Sequence, residues 1–220
     1  MGYQQNPVDT GFKMVTPTFT NVGGGEYAID DLQVVGVEDT KANIQVMNAA
    51  GAWTGMYYWF NEFTDPESGT VYPAGWMDFD GTEPAGVTLK PGDAVFFNTS
   101  VGGVKLQSAG QVPSAITNEV AVGFSMIGNG SPVAISVDAL EVLGVEDTKA
   151  NIQVMNAAGA WTGMYYWFNE FTDPESGTVY PAGWMDFDGT EPAGITLQPG
   201  DAVFFNTSTS GAKIVIPSAL

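Results

Sequence analysis

The stretch Gly36–Ser100, GVEDTKANIQVMNAAGAWTGMYYWFNEFTDPESGTVYPAGWMDFDGTEPAGVTLKPGDAVFFNTS, occurs twice in this chain. It returns 108 residues later as Gly144–Ser208. Two positions differ between the copies: Val87 becomes Ile195, and Lys90 becomes Gln198. A repeat unit of this length can bury a core of its own, so the sequence predicts two tandem domains and not a solenoid of small repeats.

The segments that flank this repeat correspond only loosely. Gly11–Val15 aligns with Gly123–Ile127, and two of the five residues differ between them. Ser108–Pro113 is interrupted by Gly and Pro, which is typical of a linker. We therefore predict two domains, residues 1–112 and residues 113–220. The diverging first and last strands are where we expect the copies to meet each other or different neighbours.

Short apolar stretches separated by turn residues dominate each copy. Such spacing predicts an all-β fold, with two tandem β-sandwich or barrel-like domains that arose by internal duplication. A single helical turn is predicted over residues 29–33 and again over 137–141. The predicted strands of copy one are Phe12–Thr18, Leu32–Val37, Ala42–Met47, Trp53–Phe60, Val87–Leu89, Asp93–Asn98 and Val104–Leu106.

The composition argues against several classes of function. Asp and Glu number 25 against 6 basic residues, all of them lysines, which gives a formal net charge of -19. Nucleic-acid binding and docking on an anionic membrane both need clustered basic residues, so neither is expected. No apolar run reaches the roughly 18 residues of a transmembrane helix, so membrane insertion is not expected. The chain has no His and no Cys, so we expect no enzyme and no zinc, copper or haem site.

The strand Trp53–Phe60 is apolar or aromatic on both of its faces. Alternation places Tyr57 and Trp59 on one face and Tyr58 and Phe60 on the other. Two interpretations stay open: a central strand buried between two layers, or one face exposed as a platform of rings for a glycan or a protein. The candidate binding residues are Tyr57, Trp59, Phe63, Tyr72 and Trp76 in copy one, and Tyr165, Trp167, Phe171, Tyr180 and Trp184 in copy two.

The segment Trp76–Glu83 contains an Asp-x-Asp-Gly sequence like the start of a calcium loop. The closing glutamate and flanking helices of an EF-hand are missing, and an ordinary Asp-Gly turn between strands is the alternative. Apart from this calcium, no cofactor is predicted. The candidate calcium ligands are Asp78, Asp80, Glu83, Asp186, Asp188 and Glu191.

Several short motifs together resemble a group of exported bacterial proteins with tandem β-sandwich-like domains. These motifs are the Gly2-Tyr3-Gln4 start, Gly11–Met14 with Gly123–Met126, Pro91–Phe97, and Ser108–Pro113. The resemblance implies an exported protein whose signal peptide has been removed. It supplies no catalytic residues.

These observations predict a non-catalytic, extracellular or cell-surface protein. The leading hypothesis is a structural protein that assembles with itself into a fibre, filament or surface layer, or an adhesive module. A carbohydrate-binding module with one aromatic site per repeat is the first alternative, and a calcium-dependent lectin or adhesin is the second. The expected partners are further copies of the chain itself, a surface glycan or a surface protein.

Overall fold

The computed structural model describes residues 2–21, 23, 25–48, 51–156 and 160–217. These residues form β-strands, turns and two single 3-10 turns, at Ile29–Asp31 and Val137–Ala139. The predicted all-β fold of two sandwich- or barrel-like units is confirmed. The 3-10 turns fall where helical turns were expected. In the part of the chain described, no helix has the length and apolar character needed to cross a membrane.

The strands of each copy follow the same order along the chain. Those of copy one are β1 (Gly2–Val8), β2 (Gly11–Val15), β3 (Tyr27–Ala28), β4 (Gln33–Val35), β5 (Ala42–Met47), β6 (Trp53–Phe60), β7 (Phe63–Thr64), β8 (Val71–Tyr72), β9 (Gly75–Met77), β10 (Thr88–Leu89), β11 (Val95–Thr99) and β12 (Val104–Gly110). Those of copy two are β13 (Ile116–Glu119), β14 (Gly123–Gly128), β15 (Ile135–Ser136), β16 (Glu141–Leu143), β17 (Ala150–Met155), β18 (Trp161–Phe168), β19 (Phe171–Thr172), β20 (Val179–Tyr180), β21 (Gly183–Met185), β22 (Thr196–Leu197), β23 (Ala202–Thr207) and β24 (Lys213–Ile216).

Two antiparallel sheets pack face to face in each copy. In copy one the large sheet has the order β2-β11-β5-β6-β9 and the small sheet the order β1-β12-β4. Copy two repeats this with β14-β23-β17-β18-β21 and β13-β24-β16. The core of copy one contains Ile44 and Phe97 from the large sheet and Val34 and Leu106 from the small sheet. Each of these sheets takes its strands from one copy only.

Strand β1 was not predicted from the sequence. Its sequence, Gly-Tyr-Gln-Gln-Asn-Pro-Val, is mostly polar and contains Pro7, which cannot donate a backbone hydrogen bond. The structure places β1 at the edge of the small sheet, paired with β12. An edge strand tolerates a proline because its outer side has no neighbour to bond.

The two copies dock through the outward faces of their large sheets, and we call this contact the seam. Its buried residues are Met14, Ala94 and Phe96 from copy one and Met126, Ala202 and Phe204 from copy two. The contacts are reciprocal. Thr16 N–H donates to Gly200 O at 3.0 Å, and Gly128 N–H donates to Gly92 O at 2.8 Å. The seam therefore joins each copy's second strand to the other copy's Pro-Gly-Asp turn. Strand β2 corresponds to the predicted first strand, Phe12–Thr18. The expectation that the diverging first strands meet the other copy is therefore confirmed.

A chain of four aromatic rings crosses the seam. Trp53 lies 5.5 Å from Phe96, Phe96 lies 5.5 Å from Phe204, and Phe204 lies 5.4 Å from Trp161, all between ring centroids. Strict alternation along the strand would place Trp53 on the same face as Trp59. A register shift between Val46 and Met47 instead brings Trp53 opposite Met47, whose side chain packs against the seam. The β-bulge thus moves the indole to the outward face, where it reaches Phe96.

The Pro-Gly-Asp turns meet the other copy at glycines where a larger residue would be strained by a positive φ and would push against a side chain of the other copy. Gly92 has a φ of +84°, and a Cβ there would lie 2.6 Å from Ile216 Cδ1 of copy two. Gly200 has the same φ, and its Cβ would lie 2.5 Å from Asn6 Nδ2 of copy one. The sequence indicated only generic turns at these positions. In the structure they are contact points between the copies.

Candidate binding site

Trp59 and Trp76 lie in the core and not on a surface. They face each other across β6 and β9 with ring centroids 5.4 Å apart in edge-to-face geometry, and are 1% and 0% exposed. The Trp76 indole N–H donates to Leu32 O at 2.7 Å. Trp167 and Trp184 repeat the pair at 5.4 Å. The prediction that these four indoles bind a ligand is corrected: their burial leaves no ring face accessible, and their role is packing.

The inward face of β6 also holds Tyr57. Its ring is partly buried and packs against the core of copy one, as Tyr165 does in copy two. These two tyrosines therefore contribute mainly to packing. Strand β6 is therefore not buried on both faces, and the face that carries the predicted binding residues Tyr57 and Trp59 is not the exposed one. Its open face is the opposite one, which carries Met56, Tyr58 and Phe60.

This open face bears a second pair of rings on each copy. Tyr58 and Phe79 meet edge to face at 5.4 Å, and the Tyr58 hydroxyl donates to Met56 Sδ at 3.0 Å. Phe79 is 71% exposed. Tyr166 and Phe187 form the same pair at 5.4 Å in copy two. Phe79 was not among the candidate binding residues, because the segment Trp76–Glu83 around it resembles a calcium-type loop.

An amide beside these rings has an acceptor atom without a donor. Asn43 lies directly opposite Tyr58 on the same face, and Asn98 lies opposite Asn43 on its other side. Asn43 Oδ1 is buried and has no hydrogen-bond partner among the residues described, and the same holds for Asn151 Oδ1 in copy two. A buried acceptor without a partner is costly, and a donor from a bound molecule would reach this atom only after the Asn43 side chain shifts toward the surface.

The most exposed of the predicted binding residues are on a small hairpin, formed by β7 and β8. Phe63 and Tyr72 are directly opposite each other, with rings stacked at 6.3 Å and an interplanar angle of 24°. They are 56% and 52% exposed. Phe171 and Tyr180 repeat the stack at 6.4 Å and 24°. The structure therefore brings together these two predicted residues of each copy and leaves both accessible.

The turn of this hairpin is held by Asp65. Its Oδ1 accepts the backbone N–H groups of Glu67 at 2.7 Å and Ser68 at 3.3 Å, and Gly69 N–H donates to Asp65 O at 2.8 Å. The Glu67 N–H, followed by the Ser68 side chain, lowers the pKa of the Asp65 carboxyl. Asp173 in copy two has a pKa lowered by the Ser176 hydroxyl and the Glu175 N–H. These hydrogen bonds fix the turn between β7 and β8, and the turn in turn holds the stacked rings of each hairpin in place.

Acidification is expected to loosen this turn. Because the folded pKa of Asp65 lies below its ordinary 3.8, the turn's contribution to stability is present above 3.8 and is lost as pH falls through the lower folded value. The hydrogen-exchange protection factors of the Glu67 and Ser68 amides, which are corrected for the intrinsic slowing of exchange in acid, should therefore fall when pH is taken from 6 to 2. The Asp65→Asn variant is the control, and its protection factors should show no such fall. Wild-type protection factors that stay constant across this range would contradict the assignment.

The predicted calcium ligands lie in an exposed turn that satisfies its own hydrogen bonds. Asp78 Oδ1 accepts from Thr82 N–H at 2.8 Å and Glu83 N–H at 3.3 Å, and Oδ2 accepts the Thr82 hydroxyl at 3.1 Å. The Thr82 N–H is the main cause of a lowered pKa at Asp78. Asp186 repeats this arrangement. Within the described ranges, no three His, Cys, Asp or Glu side chains are grouped as metal ligands. Calcium stays a prediction from the sequence.

Comparison of the chain with models of protein families, with curated proteins and with solved structures finds no match in any of the three.

Proposed function

We propose that this protein is a non-catalytic, exported surface module that makes the same protein contact twice, through the two aromatic hairpins. The observation that carries the proposal is the exposed Phe63–Tyr72 stack and its repetition, with the same angle and nearly the same distance, as Phe171–Tyr180. Tyr and Phe rings that stand in solvent on a supported turn are the kind of anchors that protein interfaces use.

The sequence identity of the two hairpins supports this function. Packing requires that core residues be kept, but it does not require that exposed residues such as Glu67 and Tyr72 be the same in both copies. Two equivalent contacts on one molecule raise its avidity for a repetitive surface. They can also link many copies of the protein into a linear assembly. The strongly acidic charge keeps such a subunit soluble until its specific contacts form.

Removing one hairpin contact is expected to stop assembly at a fixed size. Wild-type protein should form oligomers that grow with concentration, seen by sedimentation velocity and electron microscopy. The Phe63→Ala/Tyr72→Ala variant keeps one contact, in copy two, and should stop at dimers. Adding Phe171→Ala and Tyr180→Ala should leave only monomers.

The matched control is Phe79→Ala, which removes a ring of greater exposure on a different surface. It should assemble like wild type. A wild type that stays monomeric at every concentration contradicts self-assembly through the hairpins. So does a four-alanine variant that assembles normally.

Glycan binding is a second candidate, favoured by one specific observation. The exposed Phe79 ring and its partner Tyr58 offer a stacking surface for a sugar face, and sugar hydroxyls could donate to the unpartnered Asn43 Oδ1 once that side chain shifts outward. A glycan array with wild type, Tyr58→Ala and Phe63→Ala tests it. Binding lost only in Tyr58→Ala supports the second candidate. Binding absent from wild type counts against it. Repeating the array with EDTA and with calcium tests the calcium-dependent version.

A further inference from the structure

The two halves of the seam differ in where they hold a lysine. In one half, Lys13 Nζ of copy one lies 3.1 Å from Asp201 Oδ1 of copy two, with both side chains 27% exposed. In the other half the position of Lys13 is taken by Ser125, which lines the same cleft as Asp93. A serine cannot form this ion pair. The backbone contacts are therefore the same in both halves of the seam, whereas the ion pair across it forms in one half.

The aspartate that faces Ser125 has a lysine in its own turn instead. Burial raises the pKa of Asp93, and its pKa is lowered by the backbone N–H of Lys90 and by the positive charge of the same residue. Glu26, also in copy one, adds a negative charge that raises the pKa of Asp93 further. In copy two the residue equivalent to Lys90 is Gln198, whose backbone N–H makes the same bond to Asp201 Oδ2 but which carries no charge.

The Lys90/Gln198 difference inside the long repeat is therefore matched by the Lys13/Ser125 difference in the flanking second strand. Asp201 has Lys13 across the seam and Gln198 in its turn, whereas Asp93 has Ser125 across the seam and Lys90 in its turn. We propose that this placement of lysines makes the second copy's face of the seam selective for a first copy over another second copy. The partner that this face fits is the first copy, and the inference does not depend on the proposed role of the hairpins.

Pairing of two second copies would upset this balance. It would bring Ser125 against Asp201 and Gln198, and a partly buried carboxylate would have no lysine beside it. Two copies of the first kind would bring Lys13 beside Asp93, Glu26 and Lys90, which leaves two lysines with two carboxylates. Because an unpaired carboxylate at a partly buried contact costs free energy, the cost falls on the pairing of second copies.

Single substitutions in the full chain reproduce the mismatched half-seam of two second copies, in which a serine faces an aspartate that has a glutamine in its turn. Lys13→Ser recreates the half-seam of two second copies and should lower the melting temperature by about 2–4 °C. Adding Gln198→Lys to that variant supplies the lysine in the turn, as in copy one, and should restore most of the loss. In the mirror pair, Lys90→Gln should lower the melting temperature, and adding Ser125→Lys should restore it.

The matched control has the same net charge as the Lys13→Ser/Gln198→Lys variant but places the added lysine in the other half of the seam. Ser125→Lys added to Lys13→Ser returns one positive charge to a chain of net charge -19, but not to the half of the seam that holds Asp201. It should fail to restore the melting temperature. Restoration by this control as much as by Gln198→Lys would overturn the proposal in favour of a general charge effect. A Gln198→Lys addition that restores nothing would overturn it too.

A carbodiimide cross-link between Lys13 and Asp201 in wild type, mapped by mass spectrometry, should confirm the contact, and its absence would contradict it.

Discussion

Replacing Trp76 with alanine is expected to lower the free energy of unfolding by about 3–5 kcal/mol, measured by urea denaturation. The indole is completely buried, and its ring meets Trp59 at 5.4 Å and Phe97 at 6.3 Å. Its N–H donates to Leu32 O at 2.7 Å. The substitution leaves a large cavity and an unpaired carbonyl in the centre of one copy, so that copy should unfold at a lower denaturant concentration than the other.

Two controls separate packing from other effects. Trp76→Phe keeps a ring and loses the N–H donor, so it should cost less than the alanine variant. Trp53→Ala removes an indole that is 54% exposed and should cost much less. Trp184→Ala is the equivalent change in copy two and should match Trp76→Ala. If Trp76→Ala cost less than about 1 kcal/mol, the indole could not lie in the core as described.

Replacing Phe96 with alanine is expected to cost about 3 kcal/mol and to weaken the coupling between the two copies. Its ring is the junction of the seam, with Phe12 at 6.3 Å, Trp53 at 5.5 Å and Phe204 at 5.5 Å. Unfolding followed by tryptophan fluorescence should broaden or separate into two steps. The emission of the seam indoles should shift to longer wavelength as water replaces the ring.

The reciprocity of the seam supplies the controls for this variant. Phe204→Ala should give nearly the same loss as Phe96→Ala. The double variant should lose less than both single losses combined, because each ring is the other's neighbour. Phe12→Ala, at the margin and 46% exposed, should have a clearly smaller effect. Strict additivity of Phe96→Ala and Phe204→Ala would contradict their contact.

Much of the fold could be predicted because its signals are local. The alternation in Ala42–Met47 and Trp53–Phe60 matches two neighbouring strands of the large sheet, with the predicted bounds. The edge strand β1 could not be predicted, because an edge strand needs little apolar character and its pairing with β12 joins distant parts of the chain.

The binding surface was only partly predictable for a related reason. The pattern in Trp53–Phe60 divides the side chains correctly between two faces, except at the bulge, but it does not say which face meets the small sheet. That choice depends on packing with residues such as Leu106, far away in sequence. Phe63 and Tyr72 were identified by residue type, and their stacking follows from a pairing of two residues on each short strand.

The reciprocal seam has a consequence for how such a molecule would grow. Each copy presents its second strand to the other's Pro-Gly-Asp turn, so a rotation by half a turn exchanges the copies and with them the two aromatic hairpins. A subunit with this dyad looks the same from either end. A fibre linked hairpin to hairpin would therefore have no polarity, and its two ends would elongate at equal rates.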